Sequence, residues 1–210
     1  MLDLIFRLAL TAALGYAAYV DWRTMRVPFP LMWSILIVGV VVAAFERQWT
    51  VVIVAVAAAV ISSLAFLAVV YLRIALIIGI GFSVWLATDQ TDAVTATVIA
   101  ICFVWLLFEF NLVGGADATI AIGLLAMFHS AAFVALLAIT TLGGSLLMLI
   151  ARHRLGAGRV LLGAAVNLWK MKPLTVYDYD LEQNGMPAAW KIALAGVLFA
   201  WMPTFLRLYP

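Results

Sequence analysis

The chain has 210 residues, 68% of them hydrophobic and only 10% charged. A soluble domain carries about 25% charged residues, so this composition excludes a soluble globular protein. Disorder is excluded as well, because it needs low hydrophobicity and high charge. The net charge of +2 is the balance of 12 Lys+Arg against 10 Asp+Glu. It contains no basic run able to track a phosphate backbone, so nucleic-acid binding has no support. Cys102 is the single cysteine, which rules out an internal disulfide and a cysteine-based zinc site. What remains is an all-α polytopic membrane protein, with residues 1–210 forming one transmembrane domain. A cleavable signal peptide is not expected, because Asp3 stands where a basic region should be and no small-residue cleavage site follows.

Charges divide the sequence into lengths near the ~20 apolar residues that a membrane helix needs. The first span runs over residues 4–20 and ends before Asp21, Arg23 and Arg26. Residues 28–45 form the second, closed by Glu46 and Arg47. The third covers 50–72 and ends at Arg73, and a shorter fourth covers 74–88, closed by Asp89 and Asp92. The fifth, 93–110, holds Glu109 at its end. Residues 117–150 are too long for one helix and divide near Phe128, His129 and Ser130 into a short sixth and a full seventh span. A polar stretch over 152–186 reads as a cytosolic loop or small subdomain, in which 160–169 is apolar enough for an interfacial helix. Residues 187–206 form the last span. This gives about eight transmembrane helices, with six or seven as the alternatives.

The positive-inside rule sets the orientation. With the N-terminus outside, the inner connections hold Arg23, Arg26, Arg73, Arg152, Arg154, Arg159, Lys170 and Lys172, while the outer ones hold only Arg7, Arg47 and Arg207. Asp21 and Asp117 then face the cytoplasm, and Glu46, Asp89 and Asp92 face outward. Were residues 50–88 a single kinked helix, the parity would change and the two aspartates would face opposite sides.

Ionisable groups inside a membrane protein are costly and mark function by default. Two local patterns hold such groups. In Asp21-Trp22-Arg23-Thr24-Met25-Arg26-Val27-Pro28 an aspartate ends one helix, two arginines fix it at the interface, and Pro28 opens the next helix as proline can in a first turn. In Gly114-Gly115-Ala116-Asp117, glycines let the backbone turn and approach its neighbours closely, and the aspartate opens a helix.

Asp21 ahead of Val27-Pro28, together with the Gly-Gly-Ala-Asp turn, resembles the type IV prepilin peptidases. These are intramembrane aspartyl proteases of the GxGD type, and the archaeal preflagellin and prepilin peptidases are the nearest in pattern. Asn184-Gly185-Met186-Pro187 is similar to the start of the final helix in archaeal members. The layout of the resemblance covers the whole chain, and its specific motifs cover about 20 residues. It implies that Asp21 and Asp117 are catalytic, with Gly114, Gly115, Ala116, Glu109, Arg23 and Pro28 supporting the site. It further implies an aspartic endopeptidase of the cell membrane, facing the cytoplasm. Its substrates would be prepilin or preflagellin precursors, each with a short basic leader ahead of an apolar helix. No metal or organic cofactor is expected. The chain departs from the family at Ala116, in place of the second glycine, and at Thr119, where a lysine often stands. The aspartates are also almost a hundred residues apart, which two additional spans would account for. With one cysteine and a helix at its start, the chain is not expected to carry the methyltransferase activity of bacterial members.

Aspartyl proteolysis needs two close carboxyl groups sharing one proton. The ionised one activates water and the protonated one polarises the scissile carbonyl. Plainer readings stand beside this one. Asp21 would mark a helix end beside Arg23 or Arg26, and Asp117 would cap a helix. Glu109 would line the site or pair with an arginine, and Asn111 would bond near the site or cap a helix. His129 reads as an interface residue and His153 as solvated. Asp178, Asp180 and Glu182 read as a solvated acidic loop or as a contact for a basic leader. The rival function is a proton- or cation-coupled transporter in which Asp21, Glu109 and Asp117 form a path.

Overall fold

The computed structural model describes residues 2–24, 26–63, 70–87, 92–109, 113–153 and 189–202. Among these residues the regular structure is helix alone. In chain order the helices are α1 (Leu2–Thr24), α2 (Phe29–Phe45), α3 (Trp49–Ser63), α4 (Val70–Ala87), α5 (Asp92–Glu109), α6 (Gly115–Phe128), α7 (Ala131–His153) and α8 (Ala189–Trp201). Among the described residues, three segments are long and apolar enough to cross a membrane: Asp3–Thr24, Asp92–Glu109 and Ala131–Met148. The other five helices have shorter apolar stretches. Large side chains such as Ile99, Ile139 and Leu142 stand 63–72% exposed. Apolar exposure on that scale fits lipid rather than water as the surrounding solvent.

The division into helices follows the sequence closely, with one difference, at the boundary between the third and fourth helices. As expected, α3 and α4 are two helices packed on each other, not one kinked rod. α4 already includes Val70, so Arg73 lies within that helix instead of in a connection. Hydropathy put the boundary at the charge. The charge is tolerated inside the helix because it has a partner there. At the other expected break, α6 ends on His129, whose amide bonds Leu125 O at 2.9 Å, and α7 begins at Ala131. His129 itself takes a positive φ of 22°. The expected subdomain over 152–186, the interfacial helix over 160–169 and the Asn184–Pro187 motif lie outside the described residues, apart from the last turn of α7.

α6 is the centre of the bundle. It packs against α2, α3, α5, α7 and α8, and every residue from Ile120 to Met127 is buried. α1 packs on α8 and α2, and α4 packs on α3 and α5. α2 and α6 cross in close backbone contact, where a Cβ built on Gly39 would stand 2.0 Å from Gly123 O. Lipid gives helices no hydrophobic reason to associate, so close backbone packing at small residues becomes a main source of adhesion. At one end of α6, Phe128 meets Phe133 and Phe199 with ring centroids 4.9 and 5.0 Å away, joining α6, α7 and α8. The opposite end of α6 holds Asp117.

Candidate functional site

The site starts from the last turn of α1. Asp21 is only 6% exposed, and its Oδ2 accepts a 3.0 Å hydrogen bond from the Ala189 backbone N–H. Ala189 is the first residue of α8 and lies 168 positions away in the chain. Amides in the first turn of a helix have no partner within the helix, so the carboxylate caps α8 and meets the positive end of its dipole. Asp21 is therefore more than a marker of its own helix end. Arg23 turns outward, with its guanidinium 5.5 Å from the Tyr19 ring centroid, and Arg26 is exposed. Between them Thr24 Oγ1 donates to Val20 O and Arg26 O, both at 2.9 Å, which fixes the turn into α2. Pro28 caps α2 with φ −57° and ψ 130°, and its carbonyl accepts from Leu31 N at 3.0 Å.

Asp117 comes from the first turn of α6. The cap of that helix is Gly114, in extended conformation and with no side-chain capping bond. The capping role expected for Asp117 thus falls to a glycine, and the carboxyl is left for other use. A Cβ on Gly114 would stand 3.2 Å from Asp117 Oδ2, and one on Gly115 would stand 3.2 Å from Phe108 Cε2. The glycine pair leaves room for the carboxyl on one side and for an aromatic ring of α5 on the other. Ala116 follows them half-buried. Asp117 Oδ1 is shielded from solvent and has no hydrogen-bond partner among the described residues. A buried polar atom without a partner costs about 1–3 kcal/mol, so this one calls for a water, a proton or a ligand.

Asp21 and Asp117 interact electrostatically across the α1–α6 gap, and the Lys191 ammonium interacts with both. Lys191 lies in the first turn of α8 and is 4% exposed. Its Nζ donates to Ser145 Oγ on α7 at 2.8 Å. Three helices thus bring two carboxyl groups and one ammonium to one end of the bundle. Sequence reading passed over Lys191. The available signal was a lysine within an apolar span, which by the cost of intramembrane charge should have been singled out with the aspartates.

Glu109 belongs to a separate pair. Its Oε2 lies 3.1 Å from the Arg73 guanidinium, and its side chain is 2% exposed. This is the arginine pairing weighed above, and it joins α4 to α5. Thr119 Oγ1 bonds back to Gly115 O at 2.8 Å. It faces a cavity of about 160 Å³ lined by Phe29, Trp33, Trp105 and Phe108, on a face of α6 that does not carry Asp117. At the far end of α6, His129 Nε2 lies 2.9 Å from Glu46 Oε2. Asn111, Asp178, Asp180 and Glu182 lie outside the described residues, as does the His153 side chain. No group of three metal-ligating side chains occurs among the described residues. Comparison with protein-family models, with curated proteins and with solved structures finds no match.

Proposed function

We propose that the chain is a membrane-embedded aspartyl endopeptidase of the prepilin-peptidase type, with Asp21 and Asp117 as its catalytic pair. The observation that carries the reading is the convergence of these two carboxyl groups. They come from the ends of α1 and α6, interact electrostatically, and leave one buried carboxyl oxygen without a partner among the described residues. In the proposed reaction Asp21, steadied by the Ala189 amide, is the carboxylate that takes a proton from water. Asp117 carries the shared proton and donates to the carbonyl oxygen of the scissile bond. The eight helices are taken as eight spans with the N-terminus outside, so the pair lies at the cytoplasmic face. One ion pair and one polar contact fit this arrangement. Arg73–Glu109 joins residues assigned to the inner face, and Glu46–His129 joins residues assigned to the outer face. The substrate would be a prepilin or preflagellin precursor, whose basic leader stays in the cytoplasm while its apolar helix enters the bilayer. A transporter path through Asp21, Glu109 and Asp117 has less support, because Glu109 is closed in its pair with Arg73.

The test is cleavage of a tagged precursor by membranes holding the parent protein, Asp21→Asn or Asp117→Asn at matched levels. General acid–base groups contribute about 10²–10⁴-fold, so each variant should lose at least a hundredfold. If either cleaves as fast as the parent, the assignment fails.

A further inference from the structure

Lys191 is unusual for a buried lysine in that its one described hydrogen bond, to Ser145 Oγ, goes to a neutral group. Burying an ammonium without a balancing charge costs several kcal/mol. Among the described residues, the compensation comes from the charged groups on the helices packed against α8. These are α1, α6 and α7. On α1, Asp3 and Arg7 form a pair with each other, and Arg23 lies over Tyr19, which leaves Asp21. On α6 the only acid is Asp117, and the described side chains of α7 carry no charge. Lys191 interacts electrostatically with both aspartates, and its ammonium also lies 6.0 Å from the Trp190 ring centroid, at the outer limit of a cation–π contact.

The fold makes room for this arrangement. A Cβ on Gly144 would come within 3.0 and 3.1 Å of Lys191 Cγ and Cδ, and within 3.2 Å of Trp190. Glycine inside a helix costs roughly 0.5–1 kcal/mol relative to alanine, and here its absent side chain is the channel along which the lysine stem lies. Gly144 and Ser145 therefore act together, the first admitting the stem and the second holding the ammonium.

We infer that Lys191 is a positioning residue whose ammonium, held by Ser145, keeps the Asp21–Asp117 pair at a single shared proton. One cation and two carboxyl groups are neutral together only when one carboxyl is protonated, and that is the state aspartyl catalysis uses. This charge stands on α8, whereas the related pattern puts a lysine two residues after the second aspartate. The inference rests on reading the pair as catalytic, but its main test does not depend on cleavage.

That test is an infrared pH titration of the full chain in lipid nanodiscs. The protonated carboxyl band is assigned by its loss in Asp21→Asn and Asp117→Asn. Lys191→Gln removes the cation that favours ionised carboxylates, so the pH at which the band is half lost should rise by one unit or more, a tenfold change in proton affinity. Lys191→Arg should restore the parent midpoint. Ser145→Ala, milder and kept for the case where Lys191→Gln does not fold, should move the midpoint in the same direction by at least twofold in proton affinity. An unmoved midpoint in Lys191→Gln, or in Ser145→Ala where Lys191→Gln does not fold, overturns the inference. In the cleavage assay, both limbs of the Lys191→Gln pH profile should shift upward, with kcat changed more than KM. A uniform loss with unmoved limbs would mean a merely structural role. If no aspartate-dependent cleavage is found, the proposed function falls and the titration still decides the role of Lys191.

Discussion

Replacing Gly39 by alanine should force apart the close crossing of α2 and α6. The added Cβ would stand 2.0 Å from Gly123 O and 2.8 Å from its carbonyl carbon. Favourable contacts between heavy atoms lie at about 3.5–4.0 Å, so α2 and α6 would have to separate by roughly 1.5 Å. Neither clashing atom can rotate away, since both belong to the backbone of a helix buried along most of its length. A gap of 0.5–1 Å already forfeits about a quarter to a half of a contact's dispersion energy. Overpacking typically costs about 1–3 kcal/mol, and Gly39→Ala is expected at the top of that range. Gly79→Ala is the control. It lies inside α4 with nothing within 4 Å of the new Cβ, so better helix propensity should leave stability unchanged or raised by about 0.5–1 kcal/mol. The assay is reversible unfolding by sodium dodecyl sulfate in mixed lipid–detergent micelles, followed by circular dichroism. Under the proposed function, cleavage should fall with stability in Gly39→Ala, because α6 also carries Asp117. Equal stability of Gly39→Ala and the parent would refute the packing argument.

Arg73→Met should destabilise the protein by roughly 3–5 kcal/mol, because it leaves the Glu109 carboxylate buried without its cation. Adding Glu109→Gln should recover most of that loss in the same unfolding assay, and a single variant as stable as the parent would show that the pair is not coupled. Orientation can be read by labelling with a membrane-impermeant maleimide in a Cys102→Ala background. Arg26→Cys should react only from the cytoplasmic side and Arg47→Cys only from the outer side, since both positions are exposed and lie at opposite ends of α2. Labelling of both from one side would overturn the proposed topology.

How much of this was legible beforehand depends on whether a property is local. Helix ends are local where a proline or a polar cluster interrupts an apolar run. The breaks before Phe29 and after Phe128 were read correctly for that reason. The α3–α4 break was misplaced because the nearest visible signal was Arg73. Its charge is absorbed by Glu109, which stands 36 positions later in the chain, and so did not end the helix. Helix faces were not legible at all. In a lipid-facing protein the apolar residues surround each helix, so no polar stripe shows which side turns inward.

The candidate site divides in the same way. Composition and patterning alone determined that the chain is helical and built for an apolar solvent, and that Asp21 and Asp117 demand explanation, because charge is expensive there wherever the chain goes. Only the tertiary structure decided which groups answer that demand. It brought the Ala189 amide to Asp21, Lys191 to the aspartates and to Ser145, Arg73 to Glu109 and Glu46 to His129. These partners are fixed by the relative rotation and depth of helices far apart in sequence, set here by backbone contacts such as Gly39 on Gly123. The low charge that first excluded a soluble protein leaves few ionisable groups to place, and their pairing is a property of the packed bundle.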